Sequence, residues 1–259
     1  MFLIDQLKKY YSEEAFYHHA KFILLEYLQY ELLDSLYKHE GSEKLSFIGG
    51  TAIRIVYGGQ RFSEDLDFDN FGLSFSDFEA LLEKTVKDME YKGFEAEFRN
   101  VEKGAYHCYI KFPRLLYENK LTDHTDRKIL IRVDAVSKEM QTPSREFILD
   151  KFDVYRSILT APPEIILNQK FIAFLERKRE KGRDIYDISY LMGLTSPDYN
   201  CLKRVAGIKT SKELKEKVLE RCRNVDLEAL AEEVRQFLLE PKKGKERILS
   251  FPEYIKQKL

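Results

Sequence analysis

Two aspartates alternate with apolar residues in the run Asp65-Leu66-Asp67-Phe68. A strand has period two, so both carboxylates point to one face while Leu66 and Phe68 point to the other, into a core. Carboxylates side by side repel each other unless a cation sits between them. Hard divalent ions such as magnesium take carboxylate oxygens together with substrate phosphates, so the layout suits metal-dependent phosphoryl transfer. Alone, the four residues read more simply as an edge strand with a solvated acidic face. What precedes them favours a site. Ile48-Gly49-Gly50 closes an apolar segment, and glycine lets the backbone turn tightly and approach a ligand. A helix starting near Thr51 would aim free N–H groups at a phosphate. Arg54 and Arg61 lie between the two halves, where they would supply further phosphate contacts.

Ile48-Gly49-Gly50 followed by Asp65-Leu66-Asp67-Phe68 resembles the signature of the DNA polymerase β-type nucleotidyltransferase superfamily. That signature is an apolar residue, Gly and Gly or Ser, a short helix, then an Asp-apolar-Asp/Glu-apolar strand. More narrowly, Gly49-Gly50-Thr51-Ala52-Ile53-Arg54 and Arg61-Phe62-Ser63-Glu64-Asp65-Leu66-Asp67-Phe68 resemble the AbiEii/AbiGii toxin branch. Its members are the nucleotidyltransferase partners of toxin–antitoxin and phage-defence pairs.

The resemblance implies a third acidic residue on a later strand, and the β-branched run Ile129-Leu130-Ile131-Arg132-Val133-Asp134-Ala135-Val136 offers Asp134. Asp134 would join Asp65 and Asp67 in holding two magnesium or manganese ions. Read without the resemblance, Asp134 ends a buried strand facing Arg132. The family also carries a lysine on a later helix and then an Arg-Asp-x-x-Asp pattern. Here Lys170 follows Pro162-Pro163, which suit a first helical turn, and Arg183-Asp184-Ile185-Tyr186-Asp187 supplies the pattern. Lys170 would reach the triphosphate as a point charge. The implied catalytic set is Asp65, Asp67, Asp134, Lys170 and Asp187. The implied nucleotide contacts are Gly49, Gly50, Thr51, Arg54, Arg61, Ser63, Lys170, Arg183 and Asp184. Spacing does not choose between Asp184 and Asp187, and a plain i,i+4 pair of Arg183 with Asp187 on a solvated helix would contribute only ~0.3–0.5 kcal/mol.

The elements that must position these residues follow from periodicity. Residues 12–39 carry apolar positions at helical spacing, with Ser12 and Glu14 at the start. Residues 45–48 read as a strand, 51–57 as a helix, 66–69 as a strand and 75–89 as an amphipathic helix. Strands follow at 94–98, 106–112 and 128–136, then a patternless polar loop at 113–126 lies between the last two. Residues 144–160 read as strand-rich and complete the sheet edge. From residue 161 the pattern is helical, broken at Gly193, Pro197, Gly207 and Pro241-Lys242-Lys243-Gly244. The expected fold class is α+β, a nucleotidyltransferase-like mixed sheet with helices followed by a helical C-terminal domain. The expected domains are 1–160 and 161–259, with the acids on one wall of a cleft and Lys170, Arg183 and Asp187 on the other.

Composition narrows the setting. The chain has 259 residues, 44 % of them apolar, enough for one large domain or two modest ones. No run of about 18 apolar residues exists to span a membrane, and Asp5, Lys8 and Lys9 arrive too early for a secretory h-region. Three distant cysteines point to a reducing compartment, hence a soluble, cytoplasmic protein. Adjacent His18 and His19 diverge on a helix, and His107 beside Cys108 reads as packing, so no zinc spacing emerges. Residues 201–259 hold 15 Lys or Arg against 10 Asp or Glu, and Arg177-Lys178-Arg179-Glu180-Lys181-Gly182-Arg183 is densely basic. Such charge suits RNA or an NTP, although lysine-rich helices are usually only solvated faces.

The expected activity is transfer of a nucleoside monophosphate from an NTP to an acceptor hydroxyl. The resemblance implies a tRNA 3′ end as acceptor and a cognate antitoxin as protein partner. Two other readings stand beside it: a module that binds a nucleotide or a partner without transfer, and kinase-like transfer to a protein hydroxyl.

Overall fold

The computed structural model describes residues 3–139 and 142–259. Their elements in chain order are α1 (Leu3–Leu7), α2 (Glu13–Leu36), β1 (Leu45–Ile48), α3 (Gly49–Val56), β2 (Leu66–Asn70) and α4 (Phe75–Tyr91). Next come β3 (Glu97–Glu102), β4 (Tyr106–Phe112), α5 (Leu115–Glu118), β5 (Ile129–Ser137), β6 (Arg145–Lys151) and β7 (Val154–Thr160). The rest is helical: α6 (Pro163–Glu176), α7 (Gly182–Leu191), α8 (Tyr199–Ala206), α9 (Ser211–Cys222), α10 (Leu227–Arg235), α11 (Pro241–Leu249) and α12 (Phe251–Lys258). The α+β class is observed as expected: a mixed sheet with helices, then helices alone.

The chain forms two compact units. Residues 1–52 and 62–161 make the first, and residues 53–61 with 162–259 make the second. The division falls inside α3, so a short segment of the N-terminal half belongs with the C-terminal helices.

The first unit is built on a seven-stranded sheet of order β3-β4-β5-β2-β1-β7-β6. β2 runs parallel to β5 and β1 parallel to β7, while the remaining neighbours are antiparallel. Alternation decides which face is core. Leu66 and Phe68 of β2 and Ile131, Val133 and Ala135 of β5 are buried, together with Leu24, Leu28 and Leu32 of α2 and Phe78 and Leu82 of α4. The helices start where side-chain caps free them from unsatisfied N–H groups: Ser12 accepts from Ala15 N and Ser74 from Asp77 N. β6 and β7 form a tight hairpin whose two turn residues, Phe152 and Asp153, take φ of 59° and 64°.

Three expectations shift. The strand expected at 94–98 lies at Glu97–Glu102, on the sheet edge, where four of its six residues are exposed and the period-two signal is weak. The loop at 113–126 contains α5, and the buried Asn119 accepts a hydrogen bond from Ile4 N at 2.9 Å, so its start is tied down. The first long helix begins at Glu13 and ends at Leu36, with non-helical geometry at His19.

The second unit packs its helices around Ile166, Phe171, Phe174, Ile185, Ile188, Leu214, Val218, Ile248 and Phe251, all buried. Phe174 and Phe251 meet edge to face at 5.9 Å. Gly182 opens α7 so close to α10 that a Cβ there would overlap the Leu230 carbonyl and come within 2.7 Å of Val234 Cγ2. Among the described residues no helix is long and apolar enough to cross a membrane.

Cys108, Cys201 and Cys222 are free and buried. Burial pushes the Cys108 thiol up to about 12 and the Cys222 thiol up to about 11. Thiolate is the reactive form, so an Ellman titration at neutral pH is expected to find these two thiols silent until denaturant is added. Fast stoichiometric labelling of Cys108 in the native protein would contradict the packing described.

Candidate active site

The parallel pairing of β2 with β5 sets Asp67 opposite Asp134, and the antiparallel pairing of β4 with β5 sets His107 opposite Asp134. Asp67, Asp134 and His107 therefore form one row across three adjacent strands. Asp65 stands immediately before β2, two residues from Asp67, and Arg132 stands two residues before Asp134 on β5. Period two brings all of them to the same side. These positions are half-buried, against the fully buried Leu66, Phe68 and Val133 between them.

The Gly49-Gly50 turn is shaped around this row. β1 pairs Ile48 with Asp67, and Gly49 then leaves the strand at φ 78°, a region open to glycine. A Cβ on Gly49 would overlap Asp67 Oδ2 and stand 2.9 Å from its Cβ and Cγ. Thr51, fully buried, donates its hydroxyl to the Asp65 carbonyl. Gln29 Nε2 donates to the Ser63 carbonyl at 2.9 Å. Thr51, expected to contact a phosphate, has its hydroxyl engaged with the Asp65 carbonyl, and Gln29 holds the neighbouring Ser63 carbonyl. Gly50 is buried beneath the turn.

Arg132 lies among the carboxylates. Its Nη2 donates to Asp65 Oδ2 at 2.9 Å. Its Nε stands 2.9 Å from Asp134 Oδ2 as an ion pair, without the alignment of a hydrogen bond. Burial works against the guanidinium charge, and the carboxylates of Asp65, Asp134 and Asp67 overcome it, holding the Arg132 pKa above its ordinary value. His107 Nδ1 is 2.8 Å from Asp134 Oδ1. The reading of His107 as packing is corrected here: the strand register, invisible in sequence, turns its ring to the third acid.

Among the described residues no three of His, Cys, Asp and Glu are arranged to clasp one ion as the side chains lie. The donor set nonetheless fits a hard divalent cation. It consists of carboxylate oxygens from neighbouring strands, and they already converge on one cation, the Arg132 guanidinium.

The second unit holds its own charge cluster. Lys170 of α6, 9 % exposed, places Nζ 2.8 Å from Asp187 Oδ2 and 3.5 Å from Asp184 Oδ1 of α7. Arg61 grips Asp187 with two parallel bonds, Nε to Oδ1 at 2.8 Å and Nη2 to Oδ2 at 2.7 Å. Arg177 Nε lies 3.1 Å from Asp184 Oδ2. Asp187 is only 1 % exposed, and burial alone would raise its pKa, but Arg61 and Lys170 hold it below the usual carboxylate range. Three cations face two carboxylates, so the cluster keeps a surplus positive charge.

This settles where several expected residues lie. Asp187 is matched to Arg61 and Lys170 in place of an i,i+4 partnership with Arg183, which sits half-buried in the first turn of α7. Arg61 is itself buried, and its fork is committed to Asp187 instead of standing free for a phosphate. A β-bridge from Arg61 to Leu238 and a bond from Leu239 N to Gln60 O hold that segment in place. Arg54 donates to the Gly59 carbonyl at 2.7 Å.

Two solved structures share the fold. JHP933 from Helicobacter pylori superposes with a TM-score of 0.54 at 15 % identity, covering 95 % of this chain and 92 % of its own. A protein from H. pylori, provisionally described as a nucleotidyltransferase, gives 0.55 at 16 % identity, with 96 % of each chain covered. No curated protein matches. Residues 31–252 match the family described as nucleotidyl transferase AbiEii toxin, type IV TA system. The match spans well over half of the sequence, and the chain belongs to the AbiEii nucleotidyl transferase toxin family.

Proposed function

We propose that this protein transfers a nucleoside monophosphate from an NTP to the 3′ end of a tRNA, and that a cognate antitoxin restrains it. One observation carries the reading: Asp65 and Asp134 pair with a single cation, and Asp67 stands opposite Asp134 in the same row, beside a glycine turn that opens a helix. In the reaction the acceptor oxygen forms a bond to the α-phosphorus, the bond from that phosphorus to the bridging oxygen breaks, and pyrophosphate leaves. The hydroxyl proton passes to solvent or to a carboxylate. Asp65, Asp67 and Asp134 would hold a divalent ion, magnesium or manganese, which would supply Lewis-acid polarisation of the phosphate oxygens.

The chain's own residues supply the rest. Gly49 and Gly50 present backbone N–H groups at the start of α3, where an anion is favoured. In the second unit, Lys170 beside Asp187 and Arg183 in the first turn of α7 make a cationic group of the kind that suits phosphate oxygens. Residues 53–61 and 162–259 hold 23 Lys and Arg against 16 Asp and Glu, while the rest of the chain holds 20 against 28. That asymmetry supports a nucleic acid as the acceptor, and with NTP and tRNA as substrates the place of action is the cytoplasm.

The test supplies each α-³²P-labelled NTP in turn with magnesium, and offers total tRNA as acceptor beside the protein itself. Label is expected on tRNA, dependent on the metal, and lost in Asp67→Ala. Label on protein alone would replace the acceptor by a protein hydroxyl. An Asp67→Ala protein that still labels tRNA would remove the carboxylates from the mechanism.

A further inference from the structure

We propose that Arg132 is an internal cation that occupies the carboxylate site until a divalent ion displaces it. The inference rests on the metal-dependent reading above and adds to it a built-in competitor.

The guanidinium bridges acids from two segments, reaching Asp65 and Asp134 at 2.9 Å each. Its charge offsets the mutual repulsion of carboxylates that share one face, a repulsion that otherwise favours protonation or distortion. The bridge is nevertheless loose. The Arg132 side chain is 37 % exposed, and its buried Nε finds no aligned acceptor although Asp134 lies close by. Pairs this open to water contribute little to stability, so holding β5 in the sheet does not require Arg132. The ladder to β2 and β4 already does that.

A divalent ion carries twice the charge of the guanidinium and takes several oxygens at once. Binding it is therefore an exchange: one charge leaves, two arrive, and Asp65 and Asp134 turn from arginine to metal. His107 stays on the other oxygen of Asp134 throughout, which keeps that carboxylate oriented during the exchange. The displaced arginine remains tethered on the same strand face, two residues from Asp134. The apparent metal affinity is then set by the carboxylates and by the arginine together. The site stays neutralised and ordered when metal is scarce.

Manganese binding to the full-length protein, read by the loss of its free-ion EPR signal, tests this without recourse to activity. Arg132→Gln is expected to bind Mn²⁺ about tenfold more tightly than wild type, the equivalent of ~1.4 kcal/mol. Its melting temperature without metal should change little, and its rise on adding Mn²⁺ should grow. Arg132→Lys keeps a charge but lacks the fork that spans two carboxylates, so it should bind with intermediate strength; it carries the test if Arg132→Gln does not fold. Adding Asp67→Ala to either variant should abolish the gain. Equal or weaker Mn²⁺ binding in the variants, with wild type binding normally, overturns the displacement and leaves the proposed function standing. No Mn²⁺ bound by any form overturns both.

Discussion

Arg61→Ala is expected to lower the urea stability of the second unit by about 3 kcal/mol, more than most point changes. The reason lies in what it leaves behind. Asp187 is almost wholly buried and receives two parallel bonds from Arg61 and one contact from Lys170. Removing the fork keeps the carboxylate buried with only the lysine opposite, and an under-compensated buried charge is costly. Asp187→Ala should be worse, because it takes the nearest carboxylate from two buried cations at once. The double change Arg61→Met with Asp187→Leu should recover much of the loss, since a well-packed apolar pair replaces a buried ion pair with little penalty. The pH dependence has a definite direction. Arg61 and Lys170 hold Asp187 below the usual carboxylate range against the effect of burial. Its contribution is therefore complete above the ordinary aspartate pKa of about 3.9 and is lost as pH falls below that towards the depressed folded value. In Arg61→Ala this acid-sensitive component should shrink. A variant unfolding within ~0.5 kcal/mol of wild type, the range of ordinary surface changes, would sink the assignment.

Gly49→Ala should reduce nucleotide transfer by roughly a hundredfold, the scale on which small misplacements of reacting groups are felt. At φ 78° an alanine bears left-handed strain of ~1–2 kcal/mol. Strain is only part of it. The new methyl would overlap the Asp67 carboxylate, so either Asp67 leaves its row or β1 shifts against β2. Gly72→Ala separates the two effects: Gly72 has φ 102° with nothing within 4 Å of an added Cβ. It should lose comparable stability while retaining transfer. The readout is kcat/KM for the preferred NTP beside a melting curve for each variant. Wild-type turnover in Gly49→Ala would show that the turn and the carboxylate are not coupled.

Local pattern carried much of this architecture. Leu66 and Phe68 are buried between half-exposed aspartates as period two requires, and β1 occupies the expected 45–48. The helix at Phe75–Tyr91 starts beside its Ser74 cap, and the strand with Asp134 lies within a residue of its expected start. The parts that were hidden are those created by long-range pairing. His107 was legible only as one residue of an alternating strand, and it takes its meaning from a cross-strand neighbour in β5. Arg61 looked like a free cation near a glycine turn, yet its partner lies 126 positions away. Thr51 had the right chemistry for a phosphate, and only the packing of the loop shows its hydroxyl turned to Asp65. Composition showed a basic C-terminal segment but could not reveal that residues 53–61 join it.

That interleaving bears on how the protein is made. Arg61 emerges from the ribosome 126 residues ahead of Asp187. At 5–20 residues per second, the interval is roughly 6–25 s. Throughout it, the segment that anchors the second unit has been synthesised but has nothing to fold against. Leu238, its other attachment, comes later still. Chains that stop before residue 187 therefore lack the carboxylate that Arg61 grips, and the charge cluster of the second unit can close only after that residue has been made.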